Sequence, residues 1–570
     1  MDADIRREWR LPLALLLCIF LLGLLPRLYS AALLGWGWDG PGTFNLVNFD
    51  EGGSCRAALG GFKYSTFIGR QTIAIAGLLG AGPPPGIAGD AAAVAAYCHG
   101  AEHIRGARIF SAVTGALTPV VLALLAFCLL PAQPAVGLTA GALLALSGFH
   151  ISESHSGTVD APSVFFIYFL LLGAVAASTR WRRALWALPP LLTAAVWAKY
   201  WVFALLTLAA ALPATVGEFV ARGWSRWRFC LAVLTVVIAF GCLSNSDFPL
   251  GAWPLLALGY LAVPWRRIAP GMIPLWLAAP FLGFALLQIE VVASYTMGAM
   301  EGRFGSSYAA IGWHKWLRNA LNIPLVLTVG LGLPAALCIP LGVRSLLRSG
   351  PPWRPWLCLL PLVVFLLFML VPAPVTYYRH YLALIPAAAL LAAMGFWTLP
   401  RRWARVGLPL FLAWPALLAW DLVADYHRDP RIELRHWYQQ ARPERLLFSY
   451  YVQPPRLPEV AQGLFRESFA RDGGAVLRQG QYLLLSENWY DTAFANELNG
   501  PLIGDLQRLV KTTPFNAQFY RQALAGEVDY LRQERVIAVN NFMPELVLHK
   551  HWYGTFQLFV GDIHIFRILQ

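Results

Sequence analysis

The sequence predicts an α-helical polytopic membrane protein of about 13 transmembrane helices with a C-terminal extracytoplasmic α/β domain. Three observations carry this prediction. Of the 570 residues, 58% are hydrophobic and only 13% charged, about half the charged share of soluble domains, and mean hydropathy is +0.54. Long apolar runs repeat through the first three-quarters of the chain, and a polar tail begins abruptly near Asp425. An ordinary cytosolic enzyme, a disordered chain and a collagen-like repeat are excluded by this composition. The formal charge of +13 lies in short clusters between apolar runs, so nucleic acid is not an implied partner.

The first apolar run, Leu11 to about Leu34, is interrupted by Arg27. It reads as an uncleaved span rather than a signal peptide, because it resumes after Arg27 and further spans follow. The remaining helices are expected near 108–130, 135–152, 160–178, 184–198, 201–216, 229–245, 249–264, 272–290, 320–342, 357–372, 381–399 and 406–423. Cytoplasmic loops collect Lys and Arg. RREWR near the start, RWRR at 180–183, RGWSRWR at 222–228, WRR at 265–267, RSLLRS at 344–349 and RRWAR at 401–405 all fall on one side of this arrangement. The N-terminus is then cytoplasmic, and three segments are outside: a loop at about 35–107, a loop at about 291–319, and the tail.

The membrane part accordingly covers 1–424 and the soluble domain 425–570. In the tail, RLLFSYYV, QYLLLS and IHIFRIL read as strands with helical stretches between them. Two of the eight cysteines, Cys55 and Cys98, share the first outer loop. An oxidising compartment would allow them to bridge; two buried thiols is the other reading. A divalent metal is not supported, since no CxxC or Cys/His zinc spacing occurs and the histidines near position 150 have no decisive ligand spacing.

Ionisable groups in or beside spans are costly and are candidate functional groups. The motif NFDEGG carries Asp50 and Glu51, neighbours that cannot face one small site in the same way. One carboxylate could enter a cavity while the other braces the loop; alternatively Asp50 caps a helix starting at Glu51. HISESHSGTVDAPSVFF sets His150, Glu153, His155 and Asp160 where one span ends and the next begins, although Asp160 before Ala161-Pro162 also suits an N-cap. Lys199, in a chain of five lysines, is the sole lysine within a predicted span, at the tip of a tight helical hairpin. It either snorkels to the interface or offers a compact charge to a phosphate. PVTYYRHYLALIP brings Tyr377, Tyr378, Arg379, His380 and Tyr381 into a late span from outside. An aromatic belt explains the tyrosines, whereas Arg379 runs against the positive-inside bias.

Taken together, these motifs resemble the GT-C glycosyltransferases, in particular the protein O-mannosyltransferase and lipid A aminoarabinose transferase group. The resemblance spans nearly the whole chain: Arg27 near the end of the first span, the Asp50-Glu51 pair, Arg108 opening the second span (ARIFSAVTGAL), SESHSGTVDAP with Asp160, the Lys199 hairpin, RHYLALIP, and a soluble domain opening DPRIELRHWYQQ. His380 stands between Arg379 and Tyr381 where the group carries Arg-Tyr.

The resemblance implies an inverting transferase that moves a sugar from a polyprenyl-phosphate donor to a hydroxyl of a protein, lipid or glycan on the outer membrane face, with the lipid-linked sugar as co-substrate. In such an enzyme Asp50 is the catalytic base. Asp160 orients hydroxyls, and Lys199 and Arg379 meet the leaving phosphate. Glu51 supports the loop at the substrate site, which His155 and Tyr378 complete. High Ala and Arg usage points to a bacterial plasma membrane with the site facing the periplasm. Two other classes fit intramembrane charges: a transporter, or a non-catalytic membrane protein that binds polyprenyl lipid or glycan. The paired halves usual in the former are not apparent in the sequence, and the latter has no need of Lys199 or Asp160.

Overall fold

A computed structural model describes residues 10–48, 50–60, 66–179, 313–348, 378–449, 460–465, 474–487, 514–553 and 561–569, with a few isolated positions between them. The helices expected at 184–290 and most of 357–372 lie outside the described residues, as does 291–312 of the expected loop at 291–319, whose remaining residues, 313–319, instead begin a helix. In chain order, α1 is Arg10–Leu33, α2 Gly53–Ala58, α3 Thr66–Leu78, α4 Ala91–Cys98, α5 Ala101–Leu129, α6 Pro134–Ala145, α7 Gly148–Ser154 and α8 Asp160–Thr179. Then follow α9 Trp313–Leu331, α10 Leu333–Arg348, a 3-10 helix at Tyr378–Leu384, α11 Ile385–Phe396, α12 Arg401–His427 and α13 Pro430–Ala441. Among the described residues, four helical stretches are long and apolar enough to cross a membrane: Leu13–Leu33, Ala101–Leu129, Arg379–Phe396 and Arg401–Ala441.

The span expected at 320–342 is instead two helices, α9 and α10, bent by 118°. The local sequence Gly332-Leu333-Pro334 explains the break. Gly332 ends α9 with a left-handed backbone (φ +83°), and Pro334 near the start of α10 needs no donor from the preceding turn. The segment expected at 135–152 is likewise α6 and α7, bent by 57°, with the Ser147 hydroxyl accepting from His150 N at 3.3 Å as the cap of α7. Where the 3-10 helix hands over to α11, the buried Tyr168 hydroxyl of α8 donates to Ala383 O at 2.8 Å and accepts from Ala387 N at 3.2 Å. It thereby satisfies backbone groups that the change of helix type leaves unpaired. This contact ties the helix that opens with Asp160 to the turn that carries Arg379.

The C-terminal part contains β1 Arg445–Phe448, β2 Ala461–Leu464, β3 Tyr482–Ser486, α14 Pro514–Ala525, β4 Leu531–Ile537, α15 Pro544–Tyr553 and β5 Ile563–Ile568. The sheet order is β2-β1-β3-β5-β4. Strand β1 runs parallel to β2 and β3, and β5 runs antiparallel to β3 and β4. All five residues of β3 are buried, so its side chains serve two faces in alternation. Tyr482 and Leu484 pack with Leu434, Trp437 and Tyr438 of α13. Leu483 and Leu485 pack with Phe519 and Tyr520 of α14. The three apolar segments singled out in the sequence are thus β1, β3 and β5 of a mixed sheet covered on both faces. Helix α15 is moored to the membrane part: Asp421 Oδ2 accepts from Phe542 N and Met543 N at 3.0 and 2.7 Å, and Glu545 Oε1 accepts from Leu333 N and the Trp414 indole at 2.8 and 2.6 Å.

Candidate active site

After α1 the chain turns through a short antiparallel bridge, Trp36 to Phe44, and arrives at a tight turn at Asn48–Gly53. Asp50 N donates to Asn48 Oδ1 at 3.0 Å, and Glu51 N donates to Asn48 O at 3.1 Å. The following helix starts at Gly53 and is preceded by Gly52 in a left-handed conformation with no side-chain cap, so Asp50 is not a helix cap. A side chain at position 52 would meet the Cys98 carbonyl and the His99 ring. Glycine is therefore required there both by φ and by space.

The two carboxylates diverge. Glu51 is fully buried and forms a fork-to-fork ion pair with Arg108, at 2.7 Å from Nε to Oε1 and 2.9 Å from Nη2 to Oε2. Its Oε1 also accepts from Gly157 N at 2.7 Å. Arg108 in turn donates to Leu34 O at 2.6 Å, and its guanidinium lies over the Phe44 ring. One buried carboxylate thus joins the end of α1, the first turns of α5 and the 155–160 turn. Asp50 faces outward with its side chain 33% exposed and pairs with Arg379, itself 24% exposed and 329 residues further along the chain.

The 155–160 turn holds His155 and Asp160, both buried. His155 packs edge-on against Tyr426 at 4.6 Å between ring centroids, and neither of its ring nitrogens has a hydrogen-bond partner among the described residues. Asp160 is the first residue of α8. Deeper in the bundle, the buried Arg27 donates to Gly23 O at 2.6 Å, Ala145 O at 3.3 Å and His150 Nδ1 at 2.8 Å; His150 therefore presents Nδ1 as an acceptor. Lys199 and the side chain of Tyr378 lie outside the described residues. The structure thus brings Asp50, Glu51, His155, Asp160 and Arg379 into one connected region through Arg108 and Gly157. Among the described residues no group of three or more His, Cys, Asp or Glu side chains is arranged to hold a metal.

Cys55 on α2 and Cys98 at the end of α4 form a disulfide with Cα atoms 5.7 Å apart. It links the helix after the Asp-Glu turn to the segment leading into α5. The sequence marked Arg108 only as part of a motif order, and its partner was not visible there. Arg431 and Arg435 of α13 were also missed. Arginines in the first turns of a helix oppose the macrodipole, which is a sequence-level sign that each has a partner elsewhere.

No family model matches this chain, and no curated protein matches it. Among solved structures it is similar to the Archaeoglobus fulgidus oligosaccharyltransferase in complex with Zn and sulfate, at 14% identity and a TM-score of 0.44, over 87% of this chain and 70% of that one. The apo form of that protein gives 13% identity and a TM-score of 0.45. It is also similar to ArnT from Cupriavidus metallidurans bound to undecaprenyl phosphate, at 14% identity and a TM-score of 0.40, over 83% of this chain and 93% of that one. What the described fold itself defines is a helical membrane protein with a mixed-sheet C-terminal part, whose polar residues gather around the Asp50-Glu51 turn.

Proposed function

We propose that this chain is a GT-C-type glycosyltransferase that moves a sugar from a polyprenyl-phosphate donor to an acceptor hydroxyl, in a bacterial plasma membrane with the site facing the periplasm. The observation that carries the proposal is the Asp50–Arg379 pair: a partly exposed carboxylate and a cation from segments 329 residues apart. Such a transfer needs both groups at one site, the carboxylate on the acceptor side of the anomeric carbon and the cation on the phosphate side. To the phosphate of the donor we assign Arg379 and Lys199, cations that the sequence sets at the edges of apolar segments.

In the proposed reaction the acceptor oxygen attacks the anomeric carbon opposite the phosphate. The new carbon–oxygen bond forms as the bond to the phosphate oxygen breaks, with inversion. The hydroxyl proton passes to Asp50, and the leaving phosphate keeps the electron pair beside Arg379 and Lys199. Arg379 pairs with the Asp50 carboxylate. An incoming phosphate draws it away, leaving Asp50 unpaired and ready to accept a proton only once donor is present. Asp160 and His155 orient hydroxyls from the turn that Glu51 holds.

Two experiments test the proposal. Deleting the gene should remove one sugar from the surface lipids or glycans, seen by mass analysis; an unchanged profile refutes the transferase assignment. With purified protein and a synthetic polyprenyl-phosphate sugar, Asp50→Asn should lower transfer by about 10²–10⁴-fold, the usual contribution of a general base. Near-normal turnover would show that Asp50 is not the base.

A further inference from the structure

Helix α13 opens the C-terminal domain, and its local sequence specifies where it starts. Asp429 caps it by accepting from Arg431 N at 2.9 Å, and Pro430 occupies the first turn, where its missing donor costs nothing. Arg431 and Arg435, four residues apart, therefore project from one side of the helix. Both are almost fully buried, and both guanidiniums lie 5.2 Å from the ring centroid of Trp38. Beyond Asp429, which pairs with Arg431, their partners lie in the loop between α1 and Asp50. Arg431, held by Asp429 at 2.8 and 2.7 Å, donates to Val47 O at 3.3 and 3.2 Å. Arg435 donates to Asp39 Oδ1 at 2.6 Å and Asn45 Oδ1 at 3.1 Å, and Asn45 Nδ2 closes the ring by donating to Asp39 Oδ2 at 2.8 Å.

These contacts have a consequence for the position of Asp50. The loop is anchored at its start by Arg108 on Leu34 O and at its end by the buried Glu51. Between those points, Trp38, Asp39, Asn45 and Val47 are all gripped by α13. The last of them is three residues ahead of Asp50. Asp50 is more exposed than Glu51 and pairs with Arg379, so its direction depends on how the approaching loop is held.

We propose that Arg431 and Arg435 are positioning residues that make the C-terminal domain part of the transfer site. Docking of α13 on the 38–47 loop aims Asp50, and the domain is not an independent appendage. The catalytic half of this inference takes the transferase function proposed above as its premise; the docking half does not. Arginine is required at both positions, because a fork spans two acceptors and stacks on Trp38, whereas lysine offers a single point charge.

The test uses the full-length chain in two assays. In Arg431→Ala/Arg435→Ala, kcat for transfer should fall at least tenfold while KM for the polyprenyl-phosphate sugar stays within about twofold. Hydrogen exchange should accelerate in peptides covering 36–48 and stay unchanged in β3 and β5. Trp38→Ala, made on the loop side, should give the same pattern in milder form and serves if the double variant does not fold. Arg435→Lys should restore less than half of the lost kcat. Unchanged exchange at 36–48 overturns the docking role, and faster exchange with unchanged kcat overturns the positioning role. If the exchange responds as expected but the wild-type chain transfers no sugar, the transferase function fails while the docking contact stands.

Discussion

Glu51 and Arg108, 57 residues apart in sequence, form a buried two-bond ion pair in which each partner is about 1% exposed. Both charges have left water, and each is repaid by several hydrogen bonds: Glu51 also takes Gly157 N, and Arg108 also holds Leu34 O. Removing one partner from such a pair leaves the other charge buried without compensation, which costs about 3–5 kcal/mol. Glu51→Gln should therefore give a large loss of folded protein in a thermal-stability assay in detergent, and Arg108→Met a similar one. Asp50→Asn, one residue away but partly exposed, should keep near wild-type stability. Equal stability of Glu51→Gln and wild type would contradict the bracing role.

The Asp50–Arg379 pair makes a different prediction. It is partly solvated on both sides, so its own worth is about 0–1 kcal/mol. If a donor phosphate competes with Asp50 for Arg379, removing the carboxylate removes the competitor. Asp50→Asn should then bind polyprenyl phosphate as tightly as wild type, or up to about fivefold more tightly, while failing to transfer. Arg379→Gln should bind it more weakly. Equilibrium binding to the lipid phosphate separates these cases, and weaker binding by Asp50→Asn would refute the exchange of partners.

Much of this arrangement was legible in the sequence, and the parts that were not share a physical cause. Hydropathy found α1, α5, α8 and α12 because their apolar runs are long, that of α1 resuming directly after Arg27. It merged α9 with α10, since Gly332-Leu333-Pro334 interrupts the chain without interrupting its hydrophobicity. Asp50, Glu51, Asp160 and Arg379 stood out as charges at the edges of apolar runs. Their partners did not: Glu51–Arg108 and Asp50–Arg379 are long-range contacts with no local signal, and Glu51 also binds the backbone of Gly157, which no side-chain pattern reports. Three of the five strands of the tail, β1, β3 and β5, were visible as short apolar runs, whereas β2 (AQGL) and β4 (LRQERVI) are too polar to stand out. The alternation of β3 between two helices was hidden, because a strand buried on both faces shows no polar–apolar period.

The Cys55–Cys98 disulfide closes a segment of 43 residues. Restricting the unfolded chain over that length is worth about 4 kcal/mol in the loop-entropy account. Peptide mapping without reductant should recover the two cysteines as one linked pair. Cys55→Ala/Cys98→Ala should lower the melting temperature and increase exchange in α2 and α4. Because Gly52 rests against the Cys98 carbonyl, the same variant should also loosen the Asp50 turn and lower transfer. Two free thiols in freshly purified protein would remove this account.

In the C-terminal domain, Glu487 follows β3 and accepts from Asp562 N at 2.9 Å, with Lys550 Nζ 3.7 Å away. Burial is the main cause that raises its pKa above the ordinary carboxylate value, and the charge of Asp562 raises it further; Lys550 and the hydrogen bonds pull it back only in part. A carboxyl with a raised folded pKa holds its proton more tightly in the native state than in the unfolded one. Its contribution is therefore most favourable below the unfolded pKa and is lost as pH rises through the folded value. His564 runs the other way. Burial chiefly lowers its pKa, aided by Lys550 and opposed by Asp562, so its contribution is lost as pH falls through and below the ordinary histidine value. Glu487→Gln should thus increase hydrogen-exchange protection of β3 and β5 at pH 8 but leave it unchanged at pH 4, where wild-type Glu487 is already protonated. His564→Gln should reduce the loss of protection between pH 7 and 5. Lower protection at pH 8 in Glu487→Gln would mean that the ion pair with Lys550 outweighs the cost of burying the charge.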